Sequence, residues 1–205
     1  MDIRTAIAAE RRELADVLDG LPAGAWDAPT LCAGWRVREA AAHMSLGFRY
    51  PLPRTLWEIT KARGSLHRMT GRCARRDAAT HTTPQLAAFL RDNATHPWTP
   101  PVGGTAAALG HDVVHGLDIT VPLGIDRRIP EDRLRLLLDR VTPKSAAFFG
   151  AGLDGVRLRA HDLDWSFGTG TLLTGRAQDL LLLAFGRKLP AGRLHGEAGD
   201  RFLAV

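Results

Sequence analysis

Two histidines spaced four residues apart form the most informative local pattern in the sequence. His111 and His115 enclose the segment Asp-Val-Val within an apolar stretch. On a helix, residues four apart lie on one face about 6 Å apart, so both imidazoles can reach one cation. Asp118 follows on the same face, where it could complete the coordination or hydrogen-bond a ligating imidazole. The pattern therefore predicts a divalent metal site on this helix.

Spacing alone leaves other interpretations of this pair open. Eight histidines in 205 residues give roughly 0.3 chance pairs at this spacing, so a solvated pair, or one satisfied within the core, stays an alternative. A metalloprotease of the zincin class needs a glutamate directly after the first histidine, whereas this chain has Asp112, which is one methylene shorter. The zincin class is therefore disfavoured.

A third ligand for such a cation has to come from another part of the chain. His43 is the best candidate, because it lies mid-helix directly after the alanines at 40–42. A histidine among small residues on a buried helix costs free energy unless a partner satisfies it. The predicted ligands are therefore His43, His111 and His115, with Asp118 beside them. The other histidines lie in polar or loop surroundings or in the C-terminal part: His67, His81, His96, His161 and His195.

Helical apolar spacing runs through the first part of the chain and must position these histidines. Apolar residues recur at intervals of three and four, as one buried face of a helix requires. Prolines and glycines separate the segments. We predict helices over residues 2–21, from about 36 to a break at Pro51, over 54–69, from Thr83 as cap with Pro84 in the first turn, over 105–121 and over 130–141.

The pattern changes after Gly150. Residues 156–165 alternate apolar and polar side chains, which predicts a strand. We expect two domains: a helical one over residues 1–148 and a small α+β one over 149–205. The remaining C-terminal elements are predicted as a turn at 167–170, a strand at 171–174, a short helix at 178–185 and an edge strand at 193–195.

Charge and composition limit the classes of function. Apolar residues make up 45% and charged residues 24%, which is typical of a folded globular protein. Lys and Arg number 27 against 22 Asp and Glu, so a basic nucleic-acid-associated protein is one alternative. The sequence shows no groove-reading motif or stacking aromatics, which favours a solvated arginine face and disfavours nucleic acid. The basic cluster consists of Arg63, His67, Arg68, Arg72, Arg75 and Arg76.

The expected cellular compartment is inferred from two features that the sequence does not show, a membrane-spanning segment and a secretory signal. No apolar run approaches the roughly 20 residues that cross a bilayer, and the charged N-terminal stretch has no secretory signal pattern. Cys32 and Cys73 are far apart, which disfavours a disulfide framework and suits a reducing compartment. We expect a cytoplasmic protein without a membrane partner.

Three segments of the chain carry a family resemblance. They are Leu-Pro-Ala-Gly-Ala-Trp at 21–26 with Pro-Thr-Leu-Cys-Ala-Gly-Trp at 29–35 and His43; His111 to Ile119 with Leu123-Gly124; and residues 157–187, with Arg-Leu-Arg-Ala-His-Asp-Leu-Asp-Trp at their start. These segments resemble the mycothiol-dependent maleylpyruvate isomerase family of DinB-like metal-binding proteins. The resemblance spans nearly the whole chain, and the spacing from Trp35 to His43 is its most specific part.

The resemblance implies a fold and a metal shell. The fold is a DinB-like four-helix bundle followed by a small α+β C-terminal domain. One divalent metal, most often Zn²⁺, is bound at the positions of His43, His111 and His115. The isomerase pattern has a glutamate where this chain has His111, whereas many DinB-like proteins have three histidines. An imidazole in place of a carboxylate leaves the site one unit more positive.

The resemblance also implies mycothiol as thiol cosubstrate, used for S-transfer or isomerisation of a small electrophilic, carboxylate-bearing substrate. Three neutral imidazoles leave zinc doubly charged with an open position, which lowers the pKa of a bound thiol. Arg187 and Arg159 are candidate catalytic residues because guanidinium groups bind carboxylates; a surface or structural role is the alternative for each. A non-catalytic metal-binding protein remains the alternative function, and a homodimer remains open.

Overall fold

The structure, a computed structural model, describes residues 1–204. Within these residues the chain is mostly helical, with one small sheet after the helices. The helices are α1 Ile3–Asp19, α2 Val37–Arg49, α3 Leu52–Lys61, α4 Leu66–Thr80, α5 Thr83–Asp92, α6 Gly104–Thr120, α7 Glu131–Leu138, α8 Pro143–Phe148 and α9 Ala177–Ala184. The strands are β1 Val156–Ala160, β2 Ser166–Gly168, β3 Thr171–Gly175 and β4 Leu194–His195.

The chain forms two compact units. One covers Asp2–Ile119, and the other contains Met1 and the chain from Thr120 onward. The predicted division into domains 1–148 and 149–205 stays a prediction, because a compact unit is defined by packing and a domain by independent folding. In the first unit α2 packs against α4 and α5, and α1 packs against α5.

Local signals explain where the helices of the first unit begin. Asp2 caps α1 by accepting hydrogen bonds from the amides of Arg4 and Thr5. Thr82 caps α5 through a capping box with Gln85, so the cap lies one residue before the predicted Thr83. Within the described part of the chain, no helix combines the length and the apolar content that a bilayer crossing requires.

The segment predicted as one helix over 54–69 is two helices. Arg63 and Gly64 adopt φ values of 53° and 74°, in the left-handed region that ends a helix, and Ser65 then caps α4. Arg63 tolerates this conformation poorly as an L-residue, so its sequence gives little warning of the break. Helix α4 then continues to Thr80, well past the predicted end.

The second unit contains a four-stranded mixed sheet in the order β2-β1-β3-β4. Strand β1 pairs antiparallel with β2 and parallel with β3, and every residue of α9 is buried. Along β1, Val156, Leu158 and Ala160 are buried while Arg157 and Arg159 are exposed, as the predicted alternation requires. The predicted turn at 167–170 is wrong in part, because Phe167 and Gly168 belong to β2. Helix α8 was not predicted.

Candidate metal centre

The three histidines predicted as ligands come together in the first unit. His43 lies on α2, while His111 and His115 lie one turn apart on α6. Nε2 of His111 is 3.3 Å from Nε2 of His43, and one ring nitrogen from each of the three lies within 4.8 Å of the others. All three side chains are half-buried. The i and i+4 spacing therefore has the geometric effect that the sequence predicted.

The 3.3 Å separation provides a test of whether a metal fits these residues. Two nitrogens bound at 2.0–2.1 Å to one tetrahedral zinc are about 3.3 Å apart. The two Nε2 atoms are thus spaced as two ligands of one ion would be. The residues fit a divalent metal of the zinc type.

Two buried aspartates orient the imidazoles on α6. Nδ1 of His111 is 2.9 Å from Oδ1 of Asp112, and Nδ1 of His115 is 3.0 Å from Oδ2 of Asp118. An ionised carboxylate only accepts, so each Nδ1 donates to it, and in the neutral imidazole Nε2 is then the nitrogen with the free lone pair. Both aspartates are fully buried. Asp118 thus contacts the ring nitrogen remote from Nε2, and its supporting role stays a prediction.

A buried arginine completes the support of His111. Nε of Arg11 donates to Oδ2 of Asp112 at 2.7 Å, and its Nη1 donates to the carbonyls of Asn93 and His96. Arg11 and Asp112 are both without solvent exposure. The arginine compensates the aspartate charge and fixes the carboxylate that orients His111. The ion pair links α1 to the metal helix.

Cys32 and the loop before α2 support His115 from the other side. Sγ of Cys32 donates to Oδ2 of Asp118 at 3.0 Å and lies 3.6 Å from Nδ1 of His115. The amide of Leu31 donates to the carbonyl of Asp118. Cys32, His115 and Asp118 also form a group that could hold an ion. We favour the three-histidine shell, because Asp118 already accepts hydrogen bonds from both other members of that second group.

Two tryptophans line the histidines. The ring of Trp35 is 4.8 Å from that of His43, and the ring of Trp98 is 5.4 Å from that of His111. Trp98 can approach α2 because Gly47, one turn after His43, has no side chain; a Cβ there would lie 2.0 Å from the Trp98 ring. The apolar rings restrict the access of water to the imidazoles, which strengthens interactions with a bound charge.

Arg159 and Arg187 belong to the second unit. Arg159 is an exposed residue of β1, in register with Ser166 and Thr174 on the neighbouring strands. Arg187 follows α9, is half-buried, and donates from Nη1 to the carbonyl of Phe185 at 3.0 Å. Their roles as catalytic residues stay predictions.

Sequence reasoning missed Arg11 and did not recognise the role of Asp112. Ile7, Arg11, Leu14 and Leu18 follow each other at helical spacing, and all four are buried. A charged residue on the apolar stripe of an amphipathic helix requires a buried partner. An arginine within this apolar stripe was therefore the sequence feature that could have indicated a buried ion pair. The partner could not be named, because it lies about a hundred residues away in sequence.

Comparison with known proteins assigns the chain to a family. Residues 7–120, more than half of the chain, match the family described as mycothiol maleylpyruvate isomerase N-terminal domain. The chain belongs to this family. The matched range contains His43, His111, His115 and Asp118, so the whole candidate metal centre lies within the mycothiol maleylpyruvate isomerase N-terminal domain. The predicted family membership is confirmed.

A solved structure supports the fold over nearly the full length. The crystal structure of the mycothiol-dependent maleylpyruvate isomerase is similar to this chain with a TM-score of 0.60 at 14% identity, covering 96% of this chain and 92% of that one. At this identity the likeness concerns the fold. The predicted DinB-like helical bundle followed by a small α+β part is thereby confirmed. No curated protein matches the sequence.

Proposed function

We propose that this protein is a metal-dependent enzyme that uses a low-molecular-weight thiol, mycothiol, to carry out S-transfer or isomerisation on a small electrophilic substrate bearing a carboxylate. The observation that carries the proposal is the 3.3 Å separation between Nε2 of His43 and Nε2 of His111. Membership of the mycothiol maleylpyruvate isomerase family supplies the thiol and the reaction class.

His43, His111 and His115 would hold the ion, and the proposed ion is Zn²⁺, since three imidazoles suit zinc in a catalytic shell. When bound, a divalent cation in this shell supplies a Lewis acid that lowers the pKa of a coordinated thiol. Asp112 and Asp118 would orient the rings of His111 and His115 so that Nε2 faces the ion, by accepting their Nδ1–H groups. Contacts within the protein would therefore orient two of the three ligands whether or not an ion is bound.

The charge of the centre favours an anionic sulfur ligand. The family pattern has a glutamate at the position of His111, and a neutral imidazole removes one negative charge from the first shell. Asp112 restores a carboxylate directly behind it, but its charge is compensated by Arg11. The remaining positive charge would attract a thiolate more strongly than water. This supports thiol chemistry and leaves open which electrophile is attacked.

Trp35 and Trp98 would exclude water from the reacting sulfur, because their rings flank His43 and His111.

Arg159 and Arg187 are proposed to bind a carboxylate of the thiol or of the substrate through bidentate hydrogen bonds. Replacement of either by alanine would then raise KM for the substrate while the metal content stays unchanged.

Elemental analysis followed by a thiol panel tests the proposal. Protein purified without chelator should contain about one transition-metal ion per chain. It should convert maleylpyruvate, or another carboxylic acid with a conjugated double bond, only when mycothiol is present. Glutathione should replace mycothiol poorly. His115→Ala should lose both the metal and the conversion, whereas His67→Ala, an exposed histidine of α4, should keep both. Metal without any thiol-dependent conversion would instead assign the protein as a non-catalytic metal-binding member of the family.

A further inference from the structure

Helix α3 packs Ile59 against the core but also carries large apolar side chains on its solvent side and a paired charge on its inner side. Its buried position is Glu58, whose carboxylate accepts hydrogen bonds from Arg72 at 2.5 Å and from Arg76 at 2.8 Å. Its outer side carries Leu52, Leu56 and Trp57, which are 69%, 55% and 59% exposed. An amphipathic surface helix normally keeps leucine and tryptophan side chains on its inner face. The exposed apolar residues therefore indicate a binding surface.

The apolar residues form one continuous patch. Leu52 and Leu56 are one turn apart on α3, as are Pro53 and Trp57, so the two pairs lie side by side on its outer face. Pro53 is exposed like the others. We call these four residues the α3 surface.

The segment that carries the α3 surface is strongly basic. Residues 50–76 contain seven Lys and Arg residues and one acidic residue, Glu58, which is buried and paired. Nζ of Lys61 lies 5.0 Å from the centre of the Trp57 ring. Arg68 donates to the carbonyls of Ala62 and Arg63, which places its guanidinium at the C-terminal end of α3. No exposed carboxylate offsets this charge anywhere in residues 50–76.

This combination selects one class of partner. A second copy docked on the same face by two-fold symmetry would bring like charges together, which costs free energy. Nucleic acid would use the arginines but would leave the leucines and Trp57 exposed. Leucine and tryptophan flanked by lysine and arginine are the composition of a helix that lies in the interface of an anionic bilayer. Lysine and arginine stems also reach outward while their charges stay at the headgroups.

We propose that the α3 surface and its basic surroundings bind the anionic face of a lipid bilayer, with Leu52, Leu56 and Trp57 entering the headgroup region. The proposal concerns peripheral binding to one leaflet, and in this it departs from the expectation that the protein has no membrane partner. The proposal is independent of the metal centre, since neither Trp57 nor Lys61 contributes to it.

Flotation with vesicles tests the proposal on the full-length, metal-loaded protein. The protein should float with vesicles of phosphatidylcholine containing one third phosphatidylglycerol, and it should stay behind with phosphatidylcholine alone. Lys61→Glu should weaken the partition constant at least about fivefold, since one basic side chain near an anionic leaflet contributes about that factor. Trp57→Ser should weaken it by a similar factor or more. Raised salt should weaken binding of the wild type.

Matched controls separate this surface from general charge and apolarity. Lys188→Glu changes an exposed lysine, and Phe148→Ser removes a phenylalanine that is 83% exposed; both should keep wild-type flotation. Absence of flotation with anionic vesicles at low salt overturns the proposal, as does equal flotation of Trp57→Ser and wild type. A dimer in sedimentation that Trp57→Ser converts into a monomer assigns the surface to a second copy. Retention on a DNA or RNA column that Lys61→Glu abolishes, without vesicle binding, assigns it to nucleic acid.

Discussion

Asp112 follows His111 directly in sequence, and its Oδ1 lies 2.9 Å from Nδ1 of that histidine. The other oxygen of the same carboxylate accepts from Nε of Arg11 at 2.7 Å. Because Arg11 lies on α1 and His111 lies on α6, one carboxylate joins the packing of these two helices to the orientation of a proposed metal ligand. The tautomer of His111 is therefore set by the folded core.

Asp112→Asn tests this link. The variant keeps the side-chain shape but removes the charge that holds the Nδ1–H of His111, so zinc affinity should fall about 10–100-fold, as for other supporting groups. A competition titration with a chromophoric chelator gives the affinity, and circular dichroism shows whether the helices are retained. Asp92→Asn, an exposed aspartate at the end of α5, should bind zinc like the wild type. Equal affinity in a folded Asp112→Asn protein would show that the carboxylate has no effect on the metal.

Removal of any proposed ligand should lower both metal content and thermal stability. Metal binds the folded chain in preference to the unfolded one, and at a free concentration of 100 Kd it adds about 2.7 kcal/mol. His43→Ala, His111→Ala and His115→Ala should each contain little metal and melt several degrees earlier than the wild type. Addition of EDTA should lower the melting temperature of the wild type and leave that of the variants unchanged. A wild-type protein purified without chelator and free of transition metal would contradict the metal centre itself.

Much of the centre was predictable from the sequence because it depends on local geometry. The spacing of His111 and His115 places two imidazoles on one helix face whatever the rest of the chain does. The position of His43 within a run of alanines indicated a buried histidine that needs a partner. Asp118 was placed on the correct face of α6, and the structure puts it behind His115.

The missed parts depend on contacts between residues distant in sequence. Arg11 interrupts an apolar stripe, but its partner Asp112 becomes visible only when α1 and α6 are packed together. Trp98 reaches His111 because Gly47 leaves space on another helix. The break between α3 and α4 depends on Arg63, which adopts a left-handed conformation that its residue type does not announce. Periodicity shows which face of a helix or strand is buried, but it does not show which other element that face packs against.

Glu58 should give the stability of the protein a defined acid dependence. Hydrogen bonds and the positive charge of Arg76, together with those of Arg72, hold the pKa of the Glu58 carboxyl below its ordinary value, against the effect of burial. A lowered folded-state pKa contributes stability above the unfolded value of about 4.3, and this contribution disappears as the pH falls through the folded value. Glu58→Gln should therefore lose about 2 kcal/mol of unfolding free energy at neutral pH.

Urea unfolding across a pH series measures this difference. The gap between wild type and Glu58→Gln should stay constant from about pH 7 to pH 5 and shrink below about pH 4, because the wild-type carboxyl is then protonated. Glu131→Gln removes a carboxylate that pairs with Arg135 on the surface, and it should cost far less, as exposed pairs do. A gap that persists unchanged well below pH 4 would contradict the lowered pKa.

The predicted domain boundary between 148 and 149 can be tested by limited proteolysis. The segment 149–155 joins α8 to β1 and is mostly exposed, whereas α6 is mostly buried. Cleavage should occur between about Val141 and Val156 before it occurs within α6. Mass spectrometry of the first fragments locates the cut. First cleavage between 121 and 130 would instead place the boundary where the two compact units divide, and first cleavage inside α6 would contradict both divisions.

Cobalt(II) in place of zinc makes the thiol visible. Three neutral imidazoles do not cancel the charge of the ion, so an added thiol should bind as thiolate in preference to water. A sulfur-to-cobalt charge-transfer band should therefore appear in the near ultraviolet on addition of mycothiol, and it should be weaker with glutathione. The pH midpoint of the band should lie well below about 8.5, the ordinary pKa of a thiol.

Two variants assign the band and separate thiol binding from substrate binding. His115→Ala should show no band, because it lacks a ligand of the shell. Arg187→Ala should keep the band but raise KM for a carboxylate-bearing substrate, since a guanidinium that binds the substrate carboxylate does not contact the sulfur. Loss of the band in Arg187→Ala would assign the arginine to thiol binding or to folding instead. A titration to millimolar mycothiol that gives no band would show that no thiolate binds the ion. The metal would then have only a structural role, because an open coordination position would bind the thiol at that concentration.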